Sequence, residues 1–302
     1  MGVVVPCKDE GATIARCLAA LRAQEPPVTR IVVVDNGSTD GSLEVARELA
    51  DEVLEVPQGS ISELRNQGAA AVAGVDAIAF VDADTEVHPG WLRAGLDALD
   101  GGAALVGSRT RASEDARWVA RRWAAVEAAR AHGASRVWSQ HMLVQAERFT
   151  ALGGFADVAT GEDADLSIRM TAAGGRVQLV PEMVATHHGF PATFRAFVRR
   201  ERWHTRAPGW LPRMSRGSQA LVVAGAGWAG LGAALGLTAV RGRPRALGWW
   251  AAASALAVPA LGSTTSRPSL AAAQDGVLLT VWTGIRVARL PRELLRLGTE
   301  ER

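Results

Sequence analysis

Ile78-Ala79-Phe80-Val81-Asp82-Ala83-Asp84 is the stretch on which the fold turns, a short apolar run closing on two carboxylates one residue apart. A strand covered on both faces reads this way, because the alternation of apolar and polar positions is lost. Upstream the same unit recurs. Val3-Val4-Val5 ends at Pro6, and a polar turn leads to Ile14, Leu18 and Leu21 at helical spacing. Arg30–Val34 reads as a strand, Asp35-Asn36-Gly37-Ser38-Thr39-Asp40-Gly41 as a turn and Ser42–Ala50 as a helix. A strand near Val53–Val56 and a helix near Ser62–Ala73 precede the Ala77–Val81 strand. Strands and helices alternating at this pace predict an α/β fold, a mostly parallel sheet with helices on both faces. Downstream the pattern predicts a helix (Gly90–Leu99), a strand (Ala103–Gly107), a helix around Glu114–Ala131, the apolar stretch Met142–Val144, a helix over Ala164–Ala173 and a strand over Val177–Val180.

The chain has 302 residues, 48% of them apolar, enough for a large buried core and incompatible with a disordered or fibrous chain. Its charge is divided: residues 1–194 hold 17 Lys and Arg against 26 Asp and Glu, whereas residues 195–302 hold 16 against 5. Cys7 and Cys17 make neither a disulfide framework nor a metal-ligand spacing. The first residues show no basic segment ahead of the apolar run, so no signal peptide is expected and the acidic body is expected to stay cytoplasmic. In sheets of this type ligands bind beyond the carboxyl ends of the strands. Those ends carry Asp9 and Glu10, then Asp35, then Asp82 and Asp84. An acidic rim of this kind repels a bare phosphate, so a diphosphate ligand would require a divalent cation.

Pro6-Cys7-Lys8-Asp9-Glu10, Val34-Asp35-Asn36-Gly37-Ser38-Thr39-Asp40, Phe80-Val81-Asp82-Ala83-Asp84, Gly153-Gly154-Phe155 and Gly161-Glu162-Asp163-Ala164-Asp165-Leu166 follow one another in an order and at a spacing that resemble the family 2 glycosyltransferases. The resemblance covers about residues 3–190 and implies the A-type glycosyltransferase fold with a nucleoside-diphosphate sugar as donor. It implies that Asp35 accepts hydrogen bonds from the base, that Pro6, Asp9 and Glu10 line the nucleoside pocket and that Arg65 contacts the nucleotide. Asp82-Ala83-Asp84 matches the DXD motif, in which Asp82 and Ala83 lie against the donor and Asp84, with Asp82, binds Mn²⁺ or Mg²⁺. His187 resembles a histidine that completes the metal shell in some A-type enzymes. Glu162-Asp163 matches the ED motif, whose aspartate takes the acceptor proton in an inverting transfer. Other readings stand beside these: an Asx turn for Asp35, a solvated helix face for Arg65, a loop or sugar-stacking position for His187 and a helix cap for Asp163.

Asp9 replaces the family's usual asparagine. The QxxRW motif of processive synthases is absent, and only Arg199-Arg200-Glu201-Arg202-Trp203 stands at a comparable place. A sugar nucleotidyltransferase would open with a glycine-rich phosphate loop, which is missing after Val5. A non-catalytic membrane component that retains the fold is the remaining alternative. Beyond the catalytic domain (1–194) and a basic segment (195–217), Ser218–Val240 and Ala246–Ser266 carry no charge. Each is long enough to span a bilayer, and arginines flank both. Residues 218–266 are therefore expected to form two transmembrane helices and residues 267–302 an interfacial amphipathic tail, the other reading of the whole tail being a buried helical hairpin packed on the body or in a dimer. The resulting expectation is a metal-dependent enzyme of the inner (cytoplasmic) membrane that faces the cytoplasm. It would move a sugar from a UDP- or GDP-sugar to a lipid or lipid-linked acceptor, with no nucleic-acid partner.

Overall fold

A computed structural model describes residues 1–130, 136–158, 160–205, 219, 222–232 and 270–300. They divide into two units, Met1–Ala116 with Gly133–Phe190, and Arg117–His132 with Pro191–Arg302.

The first unit opens with β1 (Gly2–Cys7), α1 (Ile14–Arg22), β2 (Arg30–Asp35), α2 (Ser42–Leu49), β3 (Glu52–Glu55), α3 (Ile61–Ala71) and β4 (Ala77–Val81). It continues with β5 (Thr85–Val87), α4 (Trp91–Asp100), β6 (Leu105–Gly107) and β7 (Thr110–Ala112). After α5 (Trp118–Arg130), which belongs to the second unit, come β8 (His141–Gln145), α6 (Ala146–Ala151), α7 (Glu162–Ala172), β9 (Val177–Leu179) and β10 (Ala185–His187). Seven of the described strands form one sheet in the order β3-β2-β1-β4-β8-β6-β9. All run parallel except β8, which is antiparallel to both β4 and β6. The mostly parallel α/β sheet is thus present, and the Met142–Val144 stretch is its one reversed strand.

The apolar runs explain the sheet. Val3 and Val5 pack with Ile14, Leu18, Leu21, Ile31 and Trp91 on one face, while Val4 packs with Val32, Leu64, Phe80 and Phe149 on the other. Successive side chains alternate across a strand, so a strand buried on both sides needs no polar position. Gly68 lets α3 lie directly on β1, since a Cβ there would collide with the Val4 side chain. The chain leaves β1 toward β2 and β3 on one side and returns to β4 on the other, so a crevice opens at the carboxyl ends of β1 and β4.

A second sheet, β5-β10-β7, has no counterpart in the sequence reading. Its strands have three residues each, too few to display a period. It sets the site, because β5 follows Asp84 directly and β10 pairs with it antiparallel, placing His187 opposite Thr85.

The second unit contains α5, α8 (Phe194–His204), a helical stretch over residues 222–232 and a long helix, Leu270–Glu300. Trp123 of α5 is buried edge-on against Phe197 of α8, with ring centroids 4.8 Å apart. Arg122 clamps the buried Asp275 through two hydrogen bonds, and Arg286, stacked over Trp282, pairs with the buried Glu201 at 3.1 Å. Removing either partner of such a pair strands a buried charge. These contacts correct the expected domain boundary at residue 194: α5 packs on the C-terminal helices, and the first unit ends at Phe190. Asp275, Leu278, Leu279, Trp282 and Arg286 are buried within the unit, so one face of the Leu270–Glu300 helix packs on its neighbours. Among the described residues no helix is long and apolar enough to cross a membrane. Ala246–Ser266, and Ser218–Val240 apart from residues 219 and 222–232, lie outside the described residues.

Candidate functional site

The crevice is an open cleft of about 230 Å³ lined by residues from three places. Pro6, Cys7, Lys8 and Glu10 come from the end of β1, Asn36 from the end of β2 with Ile61 and Leu64 on α3, and Asp82, Ala83 and Asp84 from the end of β4. At the β2 end, Asp35 is 2% exposed. Its Oδ2 accepts the backbone N–H groups of Gly37 (2.9 Å) and Ser38 (3.0 Å). Its Oδ1 and the Oδ1 of Asn36 are buried with no hydrogen-bond partner in the structure. The Asx turn and the base-binding role are therefore compatible, since one oxygen shapes the loop and the other remains an acceptor. Asp9 departs from expectation. It is exposed at φ 53°, and its Oδ1 accepts from the backbone N–H (2.8 Å) and hydroxyl (3.2 Å) of Thr39, so it ties the first loop to the second instead of lining the cleft. Glu10 does line it. Burial, and then the neighbouring Asp84, hold the Glu10 carboxyl above the usual carboxylate range.

Asp84 faces His187, with Oδ2 3.0 Å from Nε2. The histidine is buried edge-on against Phe190, and its Nδ1 has no hydrogen-bond partner. The backbone N–H of His188 donates to the carbonyl of Asp84 at 2.8 Å, which fastens β10 to the motif. A Cβ at Gly189 would occupy the space of Asp84 Oδ2 and stand 3.1 Å from His187 Nε2, so only glycine leaves the pair intact. A carboxylate oxygen and an imidazole nitrogen converging on one point fit Mn²⁺ or Mg²⁺ as part of a shell. Among the described residues no group of three His, Cys, Asp or Glu residues forms a complete shell.

Arg65 also corrects the sequence reading. It is 2% exposed, with Nη2 donating to Asp82 Oδ1 at 2.7 Å and Nη1 to Glu162 Oε1 at 2.6 Å. It therefore bridges two carboxylates inside the site instead of lying on a solvated helix face. Asp82 Oδ1 is taken by Arg65, while Asp84 and His187 face each other across the cleft end. Glu162, expected beside the base as a catalytic residue, is buried on Arg65 and receives the Ser139 hydroxyl at 3.4 Å.

Asp163 is half-buried in the first turn of α7, whose N-cap is Gly161 at φ 79°, so the expected capping role falls to the glycine. Asp163 Oδ1 accepts the N–H of Ala164 (2.7 Å) and Oδ2 that of Ser139 (3.3 Å). Burial and the adjacent Glu162 push its pKa up to about 6, with Arg65 pulling the other way. A carboxylate in this range is poised to accept a proton near neutrality. Gly153-Gly154-Phe155 is structural: Asn66 exchanges two 2.9 Å hydrogen bonds with the Phe155 backbone, and Arg169 holds the carbonyls of Leu152 and Gly154. The Arg199–Trp203 run lies in α8 of the second unit. Gly189 had no signal in the sequence, since nothing local marks its position.

Over 117 residues the chain is 37% identical to glycosyltransferase AglE of Haloferax volcanii, covering 35% of this chain and 38% of that protein. Over 194 residues it is 29% identical to succinoglycan biosynthesis protein ExoA of Rhizobium meliloti, covering 58% and 59%. The chain thus spans between 38% and 59% of the length of these two relatives. Its fold superposes with a TM-score of 0.60 and 20% identity on a mannosyltransferase of Pyrobaculum calidifontis solved with GDP-Man and Mn²⁺, over 97% of this chain and 86% of that one. Residues 2–153, which include every residue lining the cleft, match the family described as glycosyl transferase family 2. The chain is a member of glycosyltransferase family 2.

Proposed function

We propose that the chain is an inverting glycosyltransferase that transfers a sugar from a UDP- or GDP-sugar to a lipid or lipid-linked acceptor at the cytoplasmic face of the inner membrane. The observation that carries this reading is the Arg65 bridge, which joins the DXD aspartate Asp82 to Glu162 beside Asp163, so that the donor end and the base end belong to one site. Asp35 and Asn36 offer acceptor oxygens to the base, and Ile61 and Leu64 offer an apolar flank. Asp84 and His187 are the residues that would hold Mn²⁺ or Mg²⁺, which when bound screens the diphosphate from Glu10, Asp82 and Asp84. Asp163 accepts the proton of the attacking hydroxyl while Ser139 and Arg65 fix its position and charge.

The basic C-terminal third and the exposed Trp203, Val223, Trp228 and Leu231 of the second unit support a lipid-facing role. A screen of UDP- and GDP-sugars for nucleoside-diphosphate release, run in detergent with and without Mn²⁺, tests the proposal. Metal-stimulated release from one donor is expected, and no release from any donor would refute it.

A further inference from the structure

One corner of the cleft is built where β1 and β2 end, from Cys7, Lys8, Asp35 and Asn36. Cys7 lies opposite Asp35 in the parallel register, and the Asn36 N–H donates to the Cys7 carbonyl at 2.8 Å. Lys8 and Asn36 line the same cleft and are joined directly, since Lys8 Nζ donates to the Asn36 carbonyl at 2.8 Å. Ile61 and Leu64 line that cleft as well, offering an apolar flank to a planar ring.

The polar groups of this corner present a definite pattern. The backbone N–H groups around it are already engaged, those of Gly37 and Ser38 by Asp35 Oδ2, that of Thr39 by Asp9 and that of Asn36 by Cys7. Two acceptors remain, Asp35 Oδ1 and Asn36 Oδ1, both buried and without a hydrogen-bond partner. The Asn36 amide is fixed in this orientation, because Nδ2 donates to the Gly59 carbonyl at 3.2 Å and a flip would set two carbonyl oxygens face to face. Lys8 supplies the donor, for an ammonium has three N–H groups and only one is given to the Asn36 carbonyl. The corner therefore offers one cationic donor and two acceptor oxygens.

Guanine carries the complement on its Watson–Crick edge, an O6 acceptor followed by the N1–H and N2–H donors. Uracil carries a single donor, N3–H, between two carbonyls, so one of the two acceptor oxygens would meet a carbonyl lone pair. Adenine and cytosine place a bare ring nitrogen at the centre of the edge, against an acceptor. Such a mismatch discriminates strongly, because the buried polar groups are left unpaired.

We infer that Lys8, Asp35 and Asn36 select guanine, so that the donor is a GDP-sugar: Lys8 donates to O6, while Asp35 Oδ1 and Asn36 Oδ1 accept from N1–H and N2–H. This rests on the glycosyltransferase reading above and narrows its donor to one base.

Calorimetric titration of GDP, IDP and UDP into the full chain with Mn²⁺ tests the selection. IDP keeps the O6 and N1–H of guanine but lacks the 2-amino group, so the difference between GDP and IDP reads the second acceptor alone. GDP is expected to bind about 10-fold or more tighter than either IDP or UDP. Asn36→Ala should lower GDP affinity to the level of IDP while leaving IDP within about twofold of wild type. Lys8→Met should weaken GDP and IDP alike, by about 10-fold, with Lys8→Arg recovering part of the loss. UDP binding as tightly as GDP, or GDP and IDP binding equally, overturns the selection, and both are wild-type comparisons that no misfolded variant can obscure. In the donor screen, release of UDP from a UDP-sugar overturns the selection and upholds the transferase reading. Release from no donor overturns that reading instead.

Discussion

Gly189→Ala places a methyl group against the pair that is expected to hold the cation. The added Cβ falls inside the closest approach tolerated by Asp84 Oδ2, so the carboxylate must retreat by about 1 Å, and His187 Nε2 at 3.1 Å blocks part of the retreat. Metal–ligand distances tolerate only about 0.2 Å of error, so a displacement of this size removes Asp84 from the shell. The fold should largely survive, because the strain falls on a side chain at the rim of the cleft and not on packed backbone. A cost of about 1–3 kcal/mol is typical of such overpacking. Calorimetric titration of the nucleoside diphosphate, with Mn²⁺ and with EDTA, should show the Mn²⁺-dependent part of the affinity reduced about 10- to 100-fold and the EDTA value unchanged. Mn²⁺-dependent affinity within twofold of wild type, in a variant that melts normally, would refute the assignment of Asp84 and His187 to the metal.

Asp84→Ala should abolish the Mn²⁺-dependent affinity and His187→Ala should lower it less; an unchanged titration for either would remove that residue from the shell. Because the folded pKa of Asp163 is raised to about 6, turnover should climb as pH rises through 6 and level off above it, and a flat profile between pH 5 and 7 would argue against Asp163 as base. Linkage gives the opposite sign for stability: a carboxylate with a raised folded pKa costs stability once ionised, so Asp163→Asn should raise the melting temperature more at pH 8 than at pH 4. Arg65→Leu leaves Asp82 and Glu162 without their shared cation and should destabilise the chain by about 3–5 kcal/mol in urea titration, with a loss below about 1 kcal/mol contradicting the bridge. If the C-terminal third binds a bilayer, the chain should remain in the pellet after high-salt extraction and be released by detergent; release by salt alone would contradict the membrane assignment.

The parallel sheet and its acidic rim were legible because doubly covered strands announce themselves as apolar runs, and ligand positions follow from where such strands end. Asp84 and Asp163 were legible as motif positions. The partners that define their chemistry were not. Arg65 contacts Glu162 across 97 positions of sequence, and no local pattern distinguishes an arginine on a solvated helix face from a buried one that bridges two carboxylates. Asp9 looked like its neighbours on the rim, but its positive φ turns it toward Thr39. Helical periodicity located α5 approximately, yet it could not show that Trp123 and Arg122 would be buried against C-terminal helices. Gly189 matters only through the space it leaves empty beside Asp84, a property of the fold and not of the residue.

The proposed function turns on Asp163 acting as the base of an inverting transfer. Turnover and nucleotide affinity measured together for Asp163→Asn, with NMR of the fresh wild-type product, test it most directly. The predicted result is nucleotide affinity within about twofold of wild type, turnover lower by about 10²-fold or more, and an inverted anomeric carbon. Near-normal turnover in the variant, or a retained anomer, would contradict the account.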